Sequence, residues 1–125
     1  MASVLFSLIT AGIFFVLVSF TGARMGKGGK PYNTGLSAAH KILSILVIAG
    51  LIVSAYKLHG VAGGKLYSMI ALHAAAAAAL VNIIIGAVLS ARKSDGPGLI
   101  AAHKIFTAIS AAGFLAAIVF VSVKM

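Results

Sequence analysis

Four apolar runs dominate this chain, spanning Ala2 to Thr21, Leu36 to Lys57, Leu66 to Ala91 and Leu99 to Val123. Each is long enough that a helix rising about 1.5 Å per residue would cross the roughly 30 Å of bilayer hydrocarbon. Backbone amides in lipid must find their partners within the protein, and a helix satisfies them locally. The expectation is an all-α integral membrane four-helix bundle, a single four-span domain over residues 1–125 with no separate soluble part. A hydrophobic share of 62% and a mean hydropathy of +1.16 lie far outside the soluble range.

The connections carry the Gly and Pro punctuation of turns: Gly22 to Gly35 with Pro31, Leu58 to Lys65, and Arg92 to Gly98 with Pro97. Thr21-Gly22-Ala23 resembles a cleavage site, but the first run lacks a basic leader segment and reads as a retained helix. The net charge of +9 sits mostly in loops and helix ends, where it orients a membrane protein, so nucleic acid is not an expected partner. Arg24, Lys27, Lys30, Lys41, Arg92, Lys93 and Lys104 gather on one side, against Lys57, Lys65 and Lys124 on the other. That bias predicts an N-out/C-out topology with loops 22–35 and 92–98 cytoplasmic, in a prokaryotic inner (cytoplasmic) membrane. The chain has no cysteine, which excludes disulfides, thiolate nucleophiles, iron–sulfur clusters and cysteine zinc sites.

Ala38-Ala39-His40-Lys41-Ile42 recurs as Ala101-Ala102-His103-Lys104-Ile105. Gly35-Leu36 and Gly98-Leu99 precede the two copies. Each histidine is followed by a hydroxyl four residues on (Ser44, Thr107) and a glycine ten residues on (Gly50, Gly113). The simplest account is a duplicated two-helix unit whose second and fourth helices run parallel. His40 and His103 then share one level, roughly 9–10 Å to the cytoplasmic side of their helix midpoints. His73, on the antiparallel third helix, falls in another layer roughly 17 Å away.

Ionisable groups inside a spanning helix are costly and mark functional sites. Two imidazoles at equal depth on parallel helices can grip one metal from opposite sides, which is the bis-histidine mode of haem ligation. The small Ala38, Ala39, Ala101 and Ala102 leave room for a macrocycle. Ser44 and Thr107 are placed to bond a helix carbonyl or a group behind a ligand. Lys41 and Lys104 could snorkel to haem propionates. The bland alternative for His40 and His103 is a hydrogen bond near the interface, for His73 a packing or proton-relay role, and for His59 a solvated loop position. Asn82 is expected to seek a partner on a neighbouring helix. Phe6, Phe14, Phe15 and Phe20 are read as facing lipid or, second, as lining a macrocycle edge, and Tyr32, Tyr56 and Tyr67 as an aromatic belt.

With histidines on successive helices, 33 and 30 residues apart along His40, His73 and His103, the chain resembles the b-type membrane cytochromes of the cytochrome b561 class. The resemblance covers Gly35 to the C terminus. It implies haem b as cofactor, held near the cytoplasmic side by His40 and His103, with His73 supplying one ligand to an outer haem. These 125 residues hold no further helix to complete that outer pair, which leaves His59 or a second subunit.

The function expected is an electron carrier within or across the membrane, working with quinone or a redox partner protein, rather than a catalyst. A cofactor-free or pigment-binding subunit of a larger membrane complex is the alternative, and a homo-oligomer is compatible with either. Proton-coupled transport and membrane hydrolysis are disfavoured, since the only acidic residue, Asp95, falls in a loop.

Overall fold

The computed structural model describes residues 2–61, 66–94 and 96–123. It forms four α-helices: α1 (Ala2–Gly28), α2 (Thr34–His59), α3 (Leu66–Ala91) and α4 (Pro97–Val123). All four are long and apolar enough to span a membrane, and the described residues include no strand. The fold is that of an all-α integral membrane protein, and a four-helix bundle fits it.

The clearest departure from expectation is α1, which continues past Thr21 to Gly28 and leaves only residues 29–33 to connect it to α2. Nothing before Gly29 stops the helix. Gly29 takes a left-handed φ of 66°, open to a residue without Cβ, and its N–H bonds Met25 O at 3.1 Å. Asn33 then caps α2 by accepting from Leu36 N at 3.0 Å, and Pro97 opens α4 at a position where its missing N–H costs nothing.

α1 packs chiefly on α2 and α3 on α4, giving two hairpins that meet along thinner α2·α3 and α1·α4 seams. The parallel helices α2 and α4 therefore stand on one diagonal, and α1 and α3 on the other. Close approach inside each hairpin depends on a missing side chain. A Cβ built on Gly50 would lie 2.6 Å from Ala11 Cβ, and one on Gly113 would lie 3.0 Å from Ala75 Cβ.

The burial pattern carries the duplication. In α2 the buried positions are Val47, Leu51, Ser54 and Leu58, and each lies 63 residues before a buried position of α4: Ser110, Phe114, Ala117 and Val121. In α1, Val4, Leu8 and Ala11 likewise precede buried Ser68, Leu72 and Ala75 of α3 by 64 residues. These residues all lie in the half of the bundle away from the basic connections. Beyond the mid-level residue Ala79, Leu89 is the one buried residue of the other half among those described. The bundle is thus closely packed at one end and loosely packed at the end that carries the histidine repeat.

The aromatic residues divide. Phe6 and Phe20 are exposed on α1, as a lipid-facing reading expects, whereas Phe14 packs against the core and Phe15 meets Phe114 at a centroid distance of 5.9 Å. Tyr56 and Tyr67 are exposed near helix ends. Lys30, in the first connection, donates to Leu89 O and Arg92 O. A cation on carbonyls at and just beyond the end of α3 complements that helix dipole and ties the first hairpin to the second.

A histidine pair as the candidate functional site

His40 is the seventh residue of α2 and His103 the seventh of α4, so equal helix starts set both at one depth. Their rings face each other across the diagonal with centroids 6.5 Å apart and planes inclined at 52°. The backbones of α2 and α4 make no close contact, so the imidazoles themselves bridge the interior. Both are half-buried.

The other diagonal completes the layer with two glycines. A Cβ on Gly22 of α1 would sit 3.0 Å from His40 Cε1, and one on Gly86 of α3 would sit 3.4 Å from His103 Cε1. Gly22 and Gly86 are 64 residues apart, the same shift that relates the buried faces of α1 and α3. Two rings and two absent side chains make up this level of the bundle.

Hydrogen bonding assigns the tautomer of His40. Thr21 Oγ1 donates its single proton to Val18 O at 2.9 Å. His40 Nδ1 lies 3.0 Å from that hydroxyl and 3.1 Å from Val18 O, and both can only accept. Nδ1 therefore carries the proton, and Nε2 presents a lone pair. A ring held through Nδ1–H to a carbonyl is the usual arrangement behind a metal-ligating histidine.

His103 is held differently. Ile85 and Asn82 occupy the positions corresponding to Thr21 and Val18, so no hydroxyl is supplied to its Nδ1. That nitrogen is buried without a hydrogen-bond partner among the described residues, and so is Asn82 Oδ1. Asn82 Nδ2 donates to Thr107 Oγ1 at 2.8 Å, and Thr107 donates onward to His103 O at 2.8 Å. The neighbouring-helix partner expected for Asn82 is therefore Thr107. Ser44 repeats the hydroxyl contact by donating to His40 O at 2.7 Å. Ser44 and Thr107 thus donate to the histidines' backbone carbonyls.

The remaining candidates lie apart from the pair. His73 is exposed on α3 and donates from Nδ1 to Met69 O at 2.7 Å within its own helix. It is 13 residues from Gly86, roughly 20 Å along the axis. His59 is the exposed last residue of α2. Lys41 and Lys104 are exposed, each one position beyond its histidine and so turned about 100° from it. Among the described residues no group of three or more His, Cys, Asp or Glu side chains comes together.

Thr21, Val18, Gly22 and Gly86 were not apparent as site residues from the repeat around the histidines. The signal for them is the fainter 64-residue correspondence between the first and third helices, visible as Leu8 with Leu72, Ala11 with Ala75 and Gly22 with Gly86. No family model matches this chain, and comparison with curated proteins and with solved structures gave no match.

Chemically, the layer offers two imidazoles and neither a carboxylate nor a thiol. A metal–nitrogen bond of about 2.0–2.1 Å on each side, plus the distance from nitrogen to ring centre, places two imidazoles that share an ion with centroids roughly 6 Å apart. The observed 6.5 Å matches that span.

Proposed function

We propose that this protein is a small b-type haem carrier of electrons in the membrane, with His40 and His103 as the residues that would hold the haem. The observation that carries the reading is the pair of rings 6.5 Å apart on diagonal helices, in the loosely packed half of the bundle. The residues present fit such a group. Glycine stands beside each imidazole, and His40, with its proton on Nδ1, presents an Nε2 lone pair. When bound, haem iron would supply a one-electron couple whose potential depends on axial ligands and on burial.

The chain's own residues do the rest. Val18 O and Thr21 hold the His40 proton on Nδ1 and keep Nε2 basic. Ser44 and Thr107 fix the carbonyls of the two histidine turns. Lys104, which does not line the basic-end cleft, is near enough to that end to meet a propionate by snorkelling. The topology proposed is N-out/C-out with the basic connections cytoplasmic, following the positive charge. Quinone or a redox protein would exchange the electron. One haem per chain is the stoichiometry that the facing rings support, and a second at His73 would need an imidazole from another copy.

The test is a pyridine-haem assay normalised to protein, on chain expressed with ample haem. A ratio of one is expected, falling to near zero when His40 and His103 are both replaced by alanine. Absence of a Soret band in the parent, or a band that survives the double replacement, overturns the reading. A chlorin in the pigment extract would instead favour a pigment-binding subunit.

A further inference from the structure

A second site lies at the basic end, separate from the histidine layer. The first connection, the start of α2 and the end of α3 enclose a cleft of about 620 Å³. Its walls include Lys30, Lys41, Arg92 and Lys93, with the hydroxyls of Thr34 and Ser37 from the first turn of α2. Lys30 is anchored on the carbonyls of Leu89 and Arg92, whereas Lys41, Arg92 and Lys93 are exposed at the rim. The one acidic residue of the chain, Asp95, lies outside the described residues.

The cleft does not end in polar surface. Ala38 is part of its wall, and the same face of α2 continues one and two turns on as Ile42 and Ile45, which are 59% and 63% exposed. A cationic, hydroxyl-bearing cup therefore opens directly onto an apolar strip running into the membrane. A free anion would use only the cup. An amphiphile with a phosphate head and acyl chains uses both.

We infer that this cleft binds the headgroup of an anionic phospholipid from the leaflet at the basic end, with its phosphate among Lys41, Arg92 and Lys93 and an acyl chain along Ile42 and Ile45. Basic pockets between spanning helices recognise anionic headgroups through this combination of charge and apolar contact. The inference does not depend on the histidine pair holding haem.

The full chain, reconstituted in vesicles of phosphatidylcholine with one fifth phosphatidylglycerol and then released for native mass spectrometry, provides the test. Phosphatidylglycerol is expected to be retained in preference to phosphatidylcholine. Arg92→Gln and Lys93→Gln should each lower that preference about fivefold, the usual effect of one cation at an anionic surface. Lys27→Gln removes a charge from the end of α1 that does not line the cleft, and it should change the preference less than twofold. The His40→Ala/His103→Ala chain should retain the lipid like the parent, which separates this result from any failure of the haem reading. Circular dichroism checks folding, and Lys41→Gln replaces any variant that does not fold. Equal loss with Lys27→Gln would show a diffuse field in place of a site. Full displacement by millimolar inorganic phosphate would show a free-anion site. No preference in the parent chain, or either of these results, overturns the inference.

Discussion

Gly22→Ala separates the histidine layer from the stability of the bundle. The added methyl would stand 3.0 Å from His40 Cε1, whereas ordinary contact begins at 3.4 Å, so the ring must retreat by about 0.4 Å or more. His40 Nδ1 is held at 3.0 Å and 3.1 Å from Thr21 Oγ1 and Val18 O, toward the long end of good hydrogen bonds. A shift of that size strains or breaks at least one of them. Overpacking of this kind costs about 1–3 kcal/mol. Against it, alanine gains up to about 1 kcal/mol over glycine in a helix interior. The stability of the protein without haem should therefore fall by no more than about 3 kcal/mol. On the proposed haem reading, affinity for haem would need the ring in place and should fall at least about tenfold if one broken orienting bond contributes about 1.4 kcal/mol. Gly86→Ala meets its ring at 3.4 Å and should lower affinity less than Gly22→Ala does. Gly26→Ala, with nothing within 4 Å, should leave it unchanged. Haem titration followed at the Soret band gives affinity, and thermal unfolding of the haem-free protein by circular dichroism gives stability. Full affinity in Gly22→Ala, or a larger loss in Gly86→Ala than in Gly22→Ala, would refute the packing argument.

Three further outcomes are expected. Thr21→Val removes one of two acceptors from His40 Nδ1 and should weaken haem binding by about 0.5–1.5 kcal/mol, measured by the same titration, with Thr21→Ser restoring most of the loss. Asn82→Leu gives up the bond to Thr107 but also removes a buried acceptor without a partner; unfolding in mixed micelles should show a stability change within about 1 kcal/mol, and a loss of several would mean that Oδ1 is satisfied. Gly50→Ala would drive a methyl to 2.6 Å from Ala11 Cβ and should destabilise the protein by about 2–3 kcal/mol in that assay, more than Gly26→Ala changes it.

The spans were legible because hydropathy follows lipid directly, and the bounds of α3 coincide with Leu66 to Ala91. The end of α1 was not, since hydropathy falls at Thr21 while the backbone remains helical until Gly29 turns it. That displacement hid Gly22, which looks like a loop glycine until the helix is known to continue through it. The shared depth of His40 and His103 could be read from the repeat. The direction of His73 could not, because a helix of leucine, isoleucine and alanine on every side has no polar face to orient it. The difference between the two histidine environments was readable only as far as the exchanges of Thr21 for Ile85 and Val18 for Asn82. Which atoms are left without partners depends on side-chain rotamers and emerges only when α3 and α4 are assembled.

Each hairpin owns a single member of the imidazole couple, so neither can coordinate alone what the two could coordinate together. A ligand that links the rings is also a crosslink between the halves, placed where their packing is sparsest. Occupancy would then set how firmly the hairpins hold together, and dissociation of one from the other would release the ligand.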